Sequence, residues 1–144
     1  MTFQWLQMRI SEEKDRLERE AQINIRLPRA LEELSKYLTD CIESYKGAFG
    51  GEAADLLYQG NKIRVVVRNQ QEGTWQHQAA VDVSIVPEVP GFQIDRGAEP
   101  LLIEVGLLPG DKISYRDRQL DQYLTLEELT RRILDRPFFP KLME

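Results

Sequence analysis

Leu27-Pro-Arg-Ala-Leu-Glu-Glu-Leu-Ser-Lys-Tyr-Leu-Thr-Asp-Cys-Ile-Glu-Ser-Tyr45 is the stretch on which the fold turns. Leu27, Leu31, Leu34, Leu38, Cys41 and Tyr45 recur in an alternating 4-3 rhythm. That rhythm lays one narrow apolar seam along a helix. Ala30, Tyr37 and Ile42 widen the seam toward the width with which a helix covers a sheet. Pro28 suits a first helical turn, where its missing N–H costs nothing. Gly47, Gly50 and Gly51 supply the stop.

Upstream, Phe3, Leu6, Ile10, Leu17 and Ala21 form a sparser stripe at helical spacing. The residues between them are highly charged. Glu12 to Arg16 and Asp15 to Arg19 are favourable i,i+4 pairs, each worth roughly a few tenths of a kcal/mol. This segment reads as a solvated helix with a thin contact face. Ile23, Ile25 and Leu27 alternate briefly, and Pro28 disfavours helix at Leu27. A break or kink is expected near residues 23–28.

Downstream, the period changes from helical to two. Ala54 to Gln59 precedes Gly60-Asn61, a hairpin signal. Ile63, Val65 and Val67 alternate with Lys62, Arg64 and Arg68. After the turn Asn69–Gly73 comes a long strand. Its Trp75, His77, Ala79, Val81, Val83 and Ile85 share one parity, and Gln76, Gln78, Asp82 and Ser84 the other. Pro87 and Pro90 end it, and Phe92 to Ile94 is short. Leu101, Ile103, Val105 and Leu107 alternate again, and Pro109-Gly110 suits a tight turn. Lys112 to Arg116 and Gln119 to Tyr123 form a last hairpin about Asp117-Arg118. Thr125 and Glu128 then make a capping box, with Leu124 and Leu129 placed as a hydrophobic staple. Leu126, Leu129, Ile133 and Leu134 form the apolar face of the final helix. Pro137 is expected to stop it, leaving Phe138, Phe139 and Leu142 in need of burial.

Strands apolar on one face and polar on the other make a sheet covered on one side and wet on the other. The expected fold is therefore α+β in two layers. It has an N-terminal helical segment (two helices or one kinked helix), an antiparallel meander of about five to six strands, and a C-terminal helix. A single domain is expected, divided into a helical region 1–47, a sheet 52–123 and a last helix 125–136. A chain of 144 residues can bury about 70% of the surface its unfolded form exposes, so it needs no metal or disulfide to fold.

Composition narrows the functions. Apolar residues make up 42% and charged residues 30%, a globular composition and not a disordered one. The single cysteine, Cys41, excludes an internal disulfide and fits a reducing compartment. The N-terminus has no basic region followed by an apolar core, and no run approaches the roughly 18 apolar residues of a membrane span. A cytoplasmic location is expected. The middle, residues 48–110, holds 4 basic and 8 acidic side chains. With no basic stripe, neither nucleic acid nor an anionic membrane is an expected partner. A small cluster, Arg131, Arg132 and Arg136, is accounted for by the preference of cations for a helix C-terminus.

Little chemistry is written in the residues. One histidine, His77, and one cysteine cannot supply a structural zinc site, which needs about four such ligands. No metal or cofactor is expected. Cys41 lies on the apolar seam, where a cysteine behaves as a small hydrophobe. His77 reads as a sheet-edge histidine. Its sharper reading is a polar group in a pocket with Trp75, Tyr115 and Tyr123. Gly50-Gly51 lacks the Gly-Lys-Ser/Thr of a phosphate loop. Gly106-Leu-Leu-Pro-Gly-Asp-Lys-Ile113 resembles the Gly-Leu-x-x-Gly-Asp-x-Ile segment of PDZ domains, whose groove takes an extended peptide tail by strand addition. Gly91-Phe92-x-Ile94 loosely resembles their carboxylate-binding loop. The spacing from Gly91 to Gly106 leaves no room for the two strands a PDZ domain places there. A Pro-Gly-Asp turn between two strands accounts for the fragment, and no residue role is carried over.

The leading functional expectation is a non-catalytic interaction or scaffolding domain. It would self-associate as a homodimer through its N-terminal helices, with Phe3, Trp5, Leu6, Ile10 and Leu17 at the contact. The alternative is a small-molecule-binding domain with a pocket between sheet and helices, lined by Trp75, His77, Tyr115 and Tyr123. A cofactor-independent enzyme is the third, with no residue set in its favour.

Overall fold

A computed structural model of the chain describes residues 3–97 and 99–142. It begins with one 46-residue helix, α1 (Gln4–Phe49). Seven strands follow: β1 (Ala54–Tyr58), β2 (Lys62–Gln71), β3 (Thr74–Val86), β4 (Gly91–Asp95), β5 (Leu101–Leu108), β6 (Lys112–Asp117) and β7 (Gln122–Leu124). Helix α2 (Leu126–Phe138) and a short 3₁₀ turn (Pro140–Leu142) close the chain. The strands pair antiparallel in sequence order, β1 through β7, as an open meander. The fold is α+β, with slightly more strands than the five to six expected.

The leucine seam lies where its spacing predicts. Leu27, Leu31, Leu34 and Leu38 are fully buried, against Ile63, Val65, Val67, Val81, Val83, Phe92, Ile94 and Ile103. Those eight residues belong to the inward parity of β2 to β5. From α2, Leu129 and Ile133 join the same core, so both helices share one face of the sheet. The opposite face is polar and laced with ion pairs. Asp82 accepts from Arg64 at 3.1 Å and lies 3.8 Å from Lys62, and Glu104 pairs with Arg116 at 3.0 Å.

Three local expectations are narrowed or corrected. First, of the two alternatives, two helices or one kinked helix, the chain forms a single helix: α1 runs through Pro28 and ends at the Gly50 cap. Losing one helical hydrogen bond to proline costs about 3 kcal/mol. Burying Leu27 and Leu31 on either side of it contributes about 1.5–3 kcal/mol each. The packing wins. Second, α2 continues two residues past 136, through Pro137 to Phe138. Phe138 is buried and stacks on Tyr45 at 4.1 Å, whereas Phe139 lies at the margin and Leu142 stays exposed. Third, the last hairpin turns over Arg118–Asp121 and not about Asp117-Arg118. Asp117 ends β6, and its Oδ1 accepts the N–H groups of Gln119 and Leu120. The Thr125–Glu128 capping box forms as read.

Gly91 fixes the closeness of β4 and β5. A Cβ there would stand 1.9 Å from the carbonyl oxygen of Ile103, a backbone atom with nowhere to go. Gly91→Ala is expected to cost about 3 kcal/mol by overpacking. Leu34→Ala is expected to cost about 2–5 kcal/mol by leaving a cavity. Urea unfolding of each variant checks both.

Candidate functional site

The unbroken α1 changes what its upstream stripe means. Counting back from Leu27 in alternating steps of three and four residues gives Asn24, Glu20, Leu17, Glu13, Ile10, Leu6 and Phe3. The thin stripe and the buried leucine seam are thus one heptad register on one helix. The register changes environment at residue 23. Ile23 is the first buried residue of α1 and the register itself enters the core at Leu27, whereas all described residues before Ile23 are exposed except the half-buried Glu20. Residues 3–22 form an arm about 30 Å long at 1.5 Å per residue. Phe3, Trp5, Leu6, Ile10 and Leu17 all lie on it uncovered, Trp5 at 65% and Leu17 at 52% exposure. Met8 adds to the apolar surface. The arm holds its helical form with its own ion pairs. Arg16 bridges Glu13 and Glu20, and Arg9 pairs with Glu12 at 2.9 Å. Such exposed pairs add little stability.

The residues expected to line a ligand pocket do not converge. A bulge in β3 turns Trp75 and His77 away, and the last hairpin pairs Tyr123 with outward Arg116. Val67 pairs with Ala79, but the next residue, Arg68, pairs with His77, so Gln78 is the extra residue. An inserted residue flips every side chain beyond it to the other face. Ala79, Val81 and Val83 therefore face the helices, while His77 pairs with outward Arg68 and is exposed. Trp75 follows His77 outward. It lies in a shallow hollow of about 360 Å³ with Glu52, Asp55 and Arg68, against Gly50. Tyr123 is 70% exposed. Tyr115 alone is buried, beside Phe92. It sits in a groove of about 860 Å³ between α1, β6 and the start of α2, whose mouth is crossed by an Arg26–Asp111 pair at 3.0 Å.

Sequence parity missed the bulge, because Gln76-His77-Gln78 has no apolar residue to mark which way it faces. The bulged Gln78 has a structural task. Its Nε2 donates to the carbonyl of Pro137 at 2.7 Å, and its Oε1 accepts from Asn69 at 3.1 Å. It thereby satisfies carbonyls at the end of α2 that no helical N–H reaches.

A second groove, about 690 Å³ and mostly apolar, runs between α1 and α2. Cys41, Tyr45, Phe49, Leu134, Phe138 and Phe139 contribute to it. Cys41 is half-buried there and not fully in the core. Burial pushes its thiol pKa up, and the Thr130 hydroxyl only partly offsets that, so the thiol is not activated as a nucleophile. Among the described residues, no group of three His, Cys, Asp or Glu side chains is placed to hold a metal ion, and no helix is long and apolar enough to cross a membrane. Comparison with protein-family models, with curated proteins and with solved structures finds no match for this chain.

Two measurements test these placements. Gln78→Ala is expected to lower stability by about 1–2 kcal/mol, the cost of stranding buried carbonyls, while Gln76→Ala, at an exposed site, leaves the urea midpoint unchanged. Tyr115 governs part of the alkaline limit. Burial, then the nearby Glu33 and Tyr37, push its phenol up from 10.0 to about 12. Below pH 10 the phenol is neutral in both folded and unfolded chains. Between pH 10 and about 12 the unfolded chain ionises first, so stability falls by up to ~1.4 kcal/mol per pH unit. Tyr115→Phe is expected to flatten that decline, read by unfolding at pH 9, 10 and 11.

Proposed function

We propose that this chain is a non-catalytic interaction module that self-associates, as a homodimer, through the arm of α1. One observation carries it: an apolar heptad stripe, in register with the protein's own core seam, continues for about 30 Å beyond the sheet with none of the described residues laid against it. A second copy supplies a complement of the right kind, because the same stripe on both partners is self-complementary about a two-fold axis. Phe3, Leu6, Ile10 and Leu17 are the contact residues, with Trp5 beside them. Glu13, Glu20 and Asn24 interrupt the seam, so the contact is short and the dimer is weak, in the micromolar range. Polar seam positions of this kind lower affinity while fixing register. The one cysteine, unpaired, supports a cytoplasmic setting.

Light scattering across a concentration series tests the proposal. Full-length protein is expected to shift from monomer to dimer over the micromolar range. Leu6→Glu combined with Ile10→Glu, both at exposed positions, is expected to hold it monomeric without changing its melting temperature. Full-length protein that remains monomeric at high micromolar concentration overturns the proposal.

A further inference from the structure

Four arginines converge on the side of α2. Arg96 follows the last residue of β4, and its Nη1 donates to the carbonyl of Arg132 at 2.9 Å. Arg131, Arg132 and Arg136 come from α2 itself, and with Glu128 and Asp135 these residues line a groove of about 390 Å³. The sequence shows only the α2 trio. Arg96 joins it through the fold, 36 residues away along the chain.

An account of the charges leaves a surplus. Arg132 is committed: Nη1 donates to Asp117 Oδ2 at 2.6 Å and Nη2 to Gln122 Oε1 at 2.9 Å. Asp117 is almost fully buried behind it. Arg131 pairs with Asp135 at 3.4 Å. Glu128 accepts the Thr125 N–H in the capping box. Among the described residues, Arg96 and Arg136 have no carboxylate within ion-pair distance, and the Nε of Arg96 is buried with no acceptor. Burial first, then Arg136 and Arg132, depress the Arg96 pKa, as expected of a guanidinium crowded by like charge.

Attraction to the C-terminal end of α2 explains one cation there. It does not explain a second guanidinium brought from the β4–β5 connection and set half-buried among its like with no carboxylate partner among the described residues. An anion in the groove would relieve the repulsion between these guanidinium groups. We propose that Arg96 and Arg136, backed by the fixed Arg132, form a binding site for a small phosphate group, either inorganic phosphate or the phosphoryl end of a small monoester. The fork of a guanidinium matches phosphate oxygens in pairs. No aromatic side chain lines the groove, so a nucleotide base would find nothing to stack on.

The test is a titration of the full chain with inorganic phosphate and, in a second arm, glycerol phosphate, each against chloride at equal ionic strength. Melting temperature and the arginine Nε–Hε resonances are the readouts. Saturable millimolar-range stabilisation, with shifts at Arg96 and Arg136, is expected in at least one arm, and the tighter arm identifies the source. Arg136→Gln, which removes no contact to the core, is expected to weaken binding by about tenfold or more. Arg96→Gln should do the same, and Arg9→Gln on the arm should change nothing. Absence of a saturable response in both arms, or an Arg136→Gln protein that binds as the parent does, overturns the proposal. Both outcomes are independent of whether the arm dimerises.

Discussion

The sheet has one apolar face, and two helices share it. Leu27, Leu31, Leu34 and Leu38 of α1 occupy one part, and Leu129 and Ile133 of α2 another. Each of these side chains contributes about 1.5–3 kcal/mol by leaving water. Their sum outweighs both prolines that sit inside helices, Pro28 and Pro137. Because β1 to β7 pair in sequence order, the width of that face is set by the number of hairpins. Once the two helices have covered it, the first twenty or so residues of α1 have nowhere to lie. The free arm is thus a consequence of sheet width and helix length together.

Much of this was legible in the residues. The 4-3 leucine rhythm, the period-two alternation of Ile63 to Val67 and Leu101 to Leu107, and the Thr125–Glu128 box each depend on neighbours close in sequence. The failures share a cause of the opposite kind. Whether Pro28 ends a helix depends on what Leu27 and Leu31 touch some forty residues away and more. Whether His77 faces in or out depends on one unpaired glutamine whose partners are the carbonyls of Pro137 and Phe138. Arg96 looks like an ordinary loop cation until β4 carries it to α2. The four members of the expected pocket part in two places: the bulge turns Trp75 and His77 outward, and the β6–β7 pairing sets Tyr123 opposite outward Arg116 while Tyr115 faces in.

Charge is handled differently on the two sides of the molecule. On the wet face of the sheet, carboxylates and cations alternate and pair across strands, as Asp82 and Glu104 do. These exposed pairs add little stability. They also give the outer face a mixed polarity that does not attract an apolar partner. Beside α2 the pairing is incomplete, because Asp117 is spent on Arg132 and Asp135 on Arg131. Surplus charge and uncovered apolar surface therefore fall at different places, the one beside α2 and the other along the arm.

Sequence order in the meander also bears on how the chain reaches this state. Each strand finds its neighbour across a short turn, so the sheet can zip hairpin by hairpin with small loop-closure cost. The helix–sheet contacts span far greater separations: Arg26 meets Asp111 across 85 residues. On the ribosome α1 emerges before the strands it covers, with its leucine seam facing water until the meander behind it is complete. During that interval the buried seam and the free stripe are the same kind of surface, one continuous heptad face on a nascent helix, open to another nascent copy or to a chaperone.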